Sequence, residues 1–323
     1  MTPEELEIKW KSITHSGLMP YRSLRINAAC IPEVYLALDI KCNRFLILQV
    51  PEPTHVNCKS VTKEYLSIEW HEKSRFILIG LRDISFADLF NDLTLSLYNK
   101  VKDTSSPDLY TWEFINTFHK WSDFFGNSSS ALLTEPELKG LYGELVMLRW
   151  YLNDMKELNA DQVLTAWQGP FNRVQDFIFP AFNVEVKTKE AAEVYVSISS
   201  EHQLEKEPGK GLLLVVVNLV QQSDGITLQT MIAGIRTFIL ENGGDLSVFA
   251  GLISRSGLNF GNAGQYNSFM WKISAVAVYD CSSNVFPKII PNGLMTGVTQ
   301  VTYRLYEKAL EPFLIQTFTP QWN

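Results

Sequence analysis

The sequence predicts a mixed α/β protein in three parts: an N-terminal β-rich domain over residues 1–84, a helical connector over 85–130, and an α/β domain over 131–323. Three observations predict this. Short runs rich in Val, Ile, Leu, Phe and Tyr, each broken by proline, asparagine or charged clusters, crowd the N-terminal part. From Phe86 onward, apolar residues recur at helical spacing until the linker Gly126-Asn127-Ser128-Ser129-Ser130. Beyond it, the order from Thr134 to Val220 reads helix, three strands, helix, strand. A hydrophobic fraction of 46% supports real cores and excludes wholesale disorder.

Each element has a local reason. Leu6, Trp10 and Ile13 share a helical face and predict a short N-terminal helix. Strands are expected at Glu33–Ile40, Arg44–Val50, Tyr65–Glu69 and Phe76–Leu81. Ser85 is expected to cap a helix whose face carries Phe86, Leu89, Phe90, Leu93 and Leu97. A second helix follows Pro107, carrying Trp112, Ile115, Phe118 and Trp121. Thr134-Glu135-Pro136-Glu137 is a capping-box start with proline in the first turn, and Leu138, Leu141, Leu145, Leu148 and Leu152 then form a seam. Strands are expected near Val174–Phe179, Asn183–Thr188, Val194–Ser199 and Leu212–Val220, with a short helix entered through Ser199 and Ser200. A helix over Leu228–Glu241, strands at Leu246–Ile253 and Met270–Val278, and a C-terminal helix from about Val301 complete the chain.

Composition narrows the function. Lys plus Arg number 28 against 35 Asp plus Glu, a net charge of −7 with no basic tail or cluster. That excludes an indiscriminate nucleic-acid binder, so any such contact must be local or assisted by cations or a partner. No run approaches the roughly 18 apolar residues of a membrane helix. The acidic N-terminus is no secretory signal, and Cys30, Cys42, Cys58 and Cys281 lie far apart without a C-x-x-C pair. The expectation is a cytoplasmic protein with reduced thiols. The five histidines lack zinc-hydrolase spacing, and no phosphate-binding G-x-x-x-x-G-K-[ST] loop or G-x-S-x-G elbow occurs.

One segment carries chemistry. Between Phe171 and Thr188, polar groups interrupt two otherwise apolar strands. Glu185 and Lys187 are two apart and share a strand face. A turn around Pro180–Asn183 with an even number of loop residues brings Asp176 to the same face; an odd number sends it to the other. Two carboxylates converging beside one ammonium suit metal-dependent phosphodiester hydrolysis: the carboxylates hold Mg²⁺, and the lysine orients water and stabilises transition-state charge. Glu-x-Lys alone is weak, since Glu7-Ile8-Lys9 and Glu137-Leu138-Lys139 also have it, but both lie in expected helices. Glu144, in Gly143-Glu144-Leu145, flanks the leucine seam. Gln203 stands near the start of the expected short helix, where an amide can anchor a phosphate or the lysine. Trp167-Gln168-Gly169-Pro170 reads as a turn whose indole either packs inward or stacks on a base.

A helix glutamate, a strand aspartate and Glu-x-Lys on the next strand, in αβββαβ order, resemble the PD-(D/E)XK nuclease superfamily. The text Gly-Glu-Leu, Asp-Phe, Val-Glu-Val-Lys-Thr and Gln-Leu is similar to bacterial PD-(D/E)XK motif proteins of restriction-modification and phage-defence clusters. The resemblance implies a restriction-endonuclease-like core with a mixed sheet, and a Mg²⁺-dependent DNA endonuclease in which Mn²⁺ can substitute. It implies Asp176 and Glu185 as metal ligands, Lys187 as the catalytic lysine, Glu144 as the helix acid and Gln203 as the downstream glutamine. Gln175 departs from the motif, which has proline there. DNA is the expected partner, through residues such as Lys139, Arg149, Arg173 and Lys189, with further defence-system subunits or a homodimer also expected. The alternatives are an inactive binding or assembly subunit of the same fold, and an enzyme acting on RNA.

Overall fold

Alternating burial along short strands builds the first sheet. In the computed structural model, which describes residues 1–13, 21–122, 132–258 and 262–321, the chain divides into two units. Residues 1–130, 236–254 and 258–261 form one, and residues 131–235, 255–257 and 262–323 form the other. The expected linker at Gly126–Ser130 lies outside the described residues.

The first unit opens with helix α1 (Pro3–Ser12), started by a Thr2–Glu5 capping box. Strands β1 (Tyr21–Arg25), β2 (Glu33–Asp39), β3 (Arg44–Gln49), β4 (Val61–Thr62), β5 (Leu66–His71) and β6 (Phe76–Leu81) form an antiparallel sheet in the order β1-β2-β3-β6-β5-β4. Its register aligns buried residues across strands: Leu48 lies between Val34 and Ile77, and Leu46 between Leu36 and Ile79. The short strands β1 and β4 were not among the expected ones. Helices α2 (Ala87–Val101) and α3 (Pro107–Ser122) pack on each other within this unit. Ser85 does not cap α2. Asp83 accepts the Ser85 N–H at 2.9 Å and starts a 3₁₀ turn over Ile84–Phe86, so α2 begins at Ala87.

The second unit opens with α4 (Glu135–Asp154), where Glu137 accepts the Thr134 N–H at 2.8 Å and every leucine of the expected seam is buried. After α5 (Ala160–Ala166), strands β7 (Phe177–Ile178), β8 (Phe182–Glu190), β9 (Tyr195–Ile198) and β10 (Gly211–Thr227) follow, then α6 (Leu228–Glu241). Helix α5 has its own Asn159–Gln162 capping box, which the sequence reading passed over.

Three expectations are corrected here. The segment Leu246–Ile253 forms helix α7 (Leu246–Arg255), not a strand. Leu246, Phe249, Ala250 and Ile253 are buried at spacings of three and four, and Asp245 accepts the Ser247 N–H at 3.0 Å like an N-cap. The C-terminal segment from Val301 is β12 (Tyr303–Tyr306), a 3₁₀ stretch over Glu307–Phe313 and β13 (Leu314–Phe318), after β11 (Met270–Asp280). Pro312 falls inside the expected helix and cannot donate to it. Residues 201–204 form turns in place of the expected short helix. There the Glu201 carboxylate accepts N–H groups from Gln300 (3.1 Å) and Val301 (2.9 Å), and Gly209 follows at φ +85°.

The second unit holds a five-stranded mixed sheet ordered β13-β11-β10-β8-β7, with β8 and β10 parallel and the other pairs antiparallel. The third strand of the expected core, β9, pairs with β12 in a separate two-stranded sheet. Val196, Ile198 and Leu305 of that small sheet join Leu204, Leu214, Val216 and Cys281 in one core. Among the described residues, no helix is long and apolar enough to cross a membrane.

Helix α4 approaches β8 at Gly143, where an added Cβ would run into the Thr188 hydroxyl. Gly143→Ala should therefore lower stability by roughly 1–3 kcal/mol, the usual cost of overpacking. A second change, Thr188→Ala, should restore most of it in a double-mutant cycle followed by urea unfolding.

In the first unit, Lys100 donates to Asp245 at 2.7 Å. Burial favours the neutral Asp245 carboxyl, but hydrogen bonds from Lys100 and Ser247 outweigh it and hold the carboxyl below the ordinary range. Its stabilising effect is present above the unfolded aspartate pKa of about 4 and is lost as pH falls through the lowered folded value. Asp245→Asn should cost roughly 1–3 kcal/mol at pH 7. Urea unfolding of both proteins should show that difference shrinking toward pH 2.

Candidate active site

The hairpin between β7 and β8 decides which polar side chains meet. Phe177 pairs with Val184 and Ile178 with Asn183, and the Phe179 N–H donates to Phe182 O at 2.9 Å. Pro180 and Ala181 are left as an even, two-residue loop. Asp176 therefore stands one step beyond the last paired residues, opposite Glu185.

Period-2 geometry puts Glu185 and Lys187 on one face of β8, and the Lys187 ammonium lies 2.7 Å from Glu185 Oε1. Glu185 is paired in register with Leu214, and Lys187 with Val216, both of the core beneath the small sheet. Glu185 is 1% exposed, and its Oε2 is buried without a hydrogen-bond partner. Asp176 Oδ2 accepts the Val186 N–H at 2.7 Å. Glu144 comes from α4, where its Oε2 accepts the Trp167 indole N–H at 2.7 Å.

The three acids feel one another. Burial and then the neighbouring Asp176 charge push Glu185 up to about 8, against the pull of Lys187. Burial, then Asp176, raise Glu144 well above the glutamate range, while the Trp167 bond opposes the shift. Burial also raises Asp176, opposed by the Val186 N–H and Lys187.

The fifth expected residue sits apart in its interactions. Gln203 lies in the turn after β9, and its Oε1 accepts the Ser199 N–H at 2.9 Å. Its link to the hairpin runs through Gln175, the residue standing where the motif has proline. The Gln175 amide is 8% exposed and donates to Gln203 O (3.3 Å) and Glu205 O (3.4 Å).

The sequence reading missed the part played by the turn after α5. Trp167 is fully buried, so its indole packs inward and does not stack on a base. The N–H groups of Gln168 (2.7 Å) and Gly169 (3.2 Å) both donate to Asp176 O. At Gly169 a Cβ would collide with the Glu144 carboxylate. The one available signal was a tryptophan directly before Gln-Gly-Pro, which marks a turn without naming its partner.

Of the basic residues expected along a DNA path, Lys189 is corrected. It is 5% exposed, pairs with Glu307 at 3.0 Å and donates to Glu193 O at 2.5 Å, so it is sequestered from solvent phosphate. Lys139 bridges Glu135 (3.1 Å) and Glu190 (2.6 Å), and Arg173 is exposed.

Asp176 and Glu185 are the pair that could hold a divalent cation. Among the described residues, no group of three or more His, Cys, Asp or Glu side chains is placed to hold one. Two carboxylates still fit Mg²⁺, which keeps several waters and binds through one or two carboxylates plus substrate phosphate oxygens. The unpartnered Glu185 Oε2 is the donor atom that supports the fit.

Comparison with curated proteins and with solved structures finds no match. A family model described as "Putative PD-(D/E)XK family member, (DUF4420)" matches residues 6–306, nearly the whole chain. With that match over a mixed α/β architecture, the chain belongs to this PD-(D/E)XK family.

Proposed function

We propose that the protein is a divalent-metal-dependent DNA endonuclease acting within a restriction or phage-defence system. One observation carries the reading: Asp176 stands opposite Glu185, and Lys187 lies 2.7 Å from the latter on the same strand face. The family supports a nuclease-like protein and, with it, a nucleic acid as substrate. Asp176 and Glu185 would hold Mg²⁺, which supplies Lewis-acid polarisation of a phosphate oxygen and a water nucleophile at neutral pH. Lys187, partly exposed beside them, would orient that water and stabilise charge on the phosphate in flight. Glu144 adds a third acid to the site, and the Gln203 amide is a candidate donor to a substrate phosphate.

The decisive experiment combines Mg²⁺ titration with cleavage of duplex DNA by the full chain. Asp176→Ala should lose both Mg²⁺ binding and cleavage. Lys187→Ala should keep Mg²⁺ binding, because both carboxylates remain, while cleavage falls by about 10²–10³-fold. A Lys187→Ala protein that cuts at the wild-type rate removes lysine from the mechanism. Wild-type protein that takes up neither Mg²⁺ nor Mn²⁺, with DNA present, points instead to an inactive binding or assembly subunit.

Net charge −7 predicts weak, salt-sensitive affinity for bare DNA. Arg173→Ala should lower that affinity and flatten its salt dependence by about one phosphate contact. Lys189→Ala should leave the salt slope unchanged and lower stability, since it strips Glu307 of a buried partner. Fluorescence anisotropy at several salt concentrations and thermal unfolding separate the two.

A further inference from the structure

The turn Trp167-Gln168-Gly169 touches two of the three acids from one side. Trp167 is joined by a lone antiparallel bridge to Phe177, so the turn is registered to the outer edge of β7. Its backbone grips Asp176 through the Gln168 and Gly169 N–H groups at 2.7 and 3.2 Å. Its indole grips Glu144 at 2.7 Å. The absent side chain of Gly169 leaves the space that the Glu144 carboxylate fills. These contacts are local to one segment, yet they join a helix acid to a strand acid that lie 32 residues apart in sequence, 176 less 144.

We propose that Trp167 and Gly169 are positioning residues, forming a clamp that sets the helix acid Glu144 against the strand acid Asp176. The clamp works in two ways. The indole N–H satisfies one oxygen of the half-buried Glu144 carboxylate and so aims the other. Gly169 fixes how closely the helix acid may approach the hairpin, because any larger residue occupies the same volume. The inference rests on reading Asp176 as a cation ligand only for its functional consequence; the clamp itself is a matter of contacts. Outer partners of this kind typically govern metal affinity by about 10–100-fold.

The clamp is tested first without metal or DNA. Gly169→Ala should lower the urea midpoint of the full chain in the wild-type background, but have little further effect once Glu144→Ala has emptied the space. An equal loss in both backgrounds overturns the clamp. Should Gly169→Ala fail to fold, Trp167→Phe replaces it; it removes the N–H and also part of the buried ring volume, so the clamp is read from the part of its effect that disappears with Glu144→Ala. The second arm is functional. Trp167→Phe should weaken Mg²⁺ binding about 10–100-fold and lower kcat, with the KM for duplex DNA unchanged. Folded Trp167→Phe protein with wild-type Mg²⁺ affinity and kcat overturns the positioning role. Wild-type protein that binds no divalent metal would sink the nuclease reading, while the stability cycle still decides the clamp.

Discussion

The buried Glu185–Lys187 pair, with Asp176 and Glu144 within electrostatic reach, is the constraint on which the interior of the second unit depends. Glu185 is 1% exposed on a central strand, beside Asp176 and within electrostatic reach of Glu144. Removing such charges from water costs several kcal/mol each, and mutual repulsion adds to it. Lys187 at 2.7 Å, the Val186 N–H on Asp176 and the Trp167 indole on Glu144 offset part of that cost. A purely structural core would gain by replacing these groups with apolar ones. One oxygen of Glu185, Oε2, is nevertheless buried without a hydrogen-bond partner.

The surrounding architecture follows from holding those groups still. Strand β8 carries Glu185 and Lys187 between the parallel β10 and the short edge strand β7. Because β7 is only two residues long, the chain before it is free to turn, and Asp176 receives its backbone contacts from the turn at 168–169. Helix α4 reaches the same place through the close approach at Gly143. The small β9–β12 sheet closes the apolar core on the face that Glu185 and Lys187 share. Lys189, which continues the strand's run of charge, is consumed in holding Glu307 and Glu193.

The charge of the chain is unevenly available to an anion. A net −7 gives long-range repulsion from a polyanion. The exposed Arg173 lies in the segment leading to Asp176, whereas Lys139 and Lys189 are already committed to carboxylates.

Much of this was legible from short-range pattern alone. The capping box at Thr134, the leucine seam of α4, strand β6 and the bounds of α6 all follow from periodicities spanning a few turns or strand steps. The shared face of Glu185 and Lys187 is of the same kind, because alternation is a property of the strand itself. What the sequence left open was everything that depends on distant partners. Turn parity at Pro180–Ala181 placed Asp176, and β9 left the main sheet for β12, whereas the Leu246 helix and the break at Pro312 were written in local spacing and composition that the strand and helix expectations overlooked. The indole of Trp167 met Glu144, and Lys189 met Glu307, only because α4, β8 and the C-terminal segment are brought together by the fold. A residue's periodicity is set by its neighbours in the chain, but the partner of a buried charge is chosen by long-range packing.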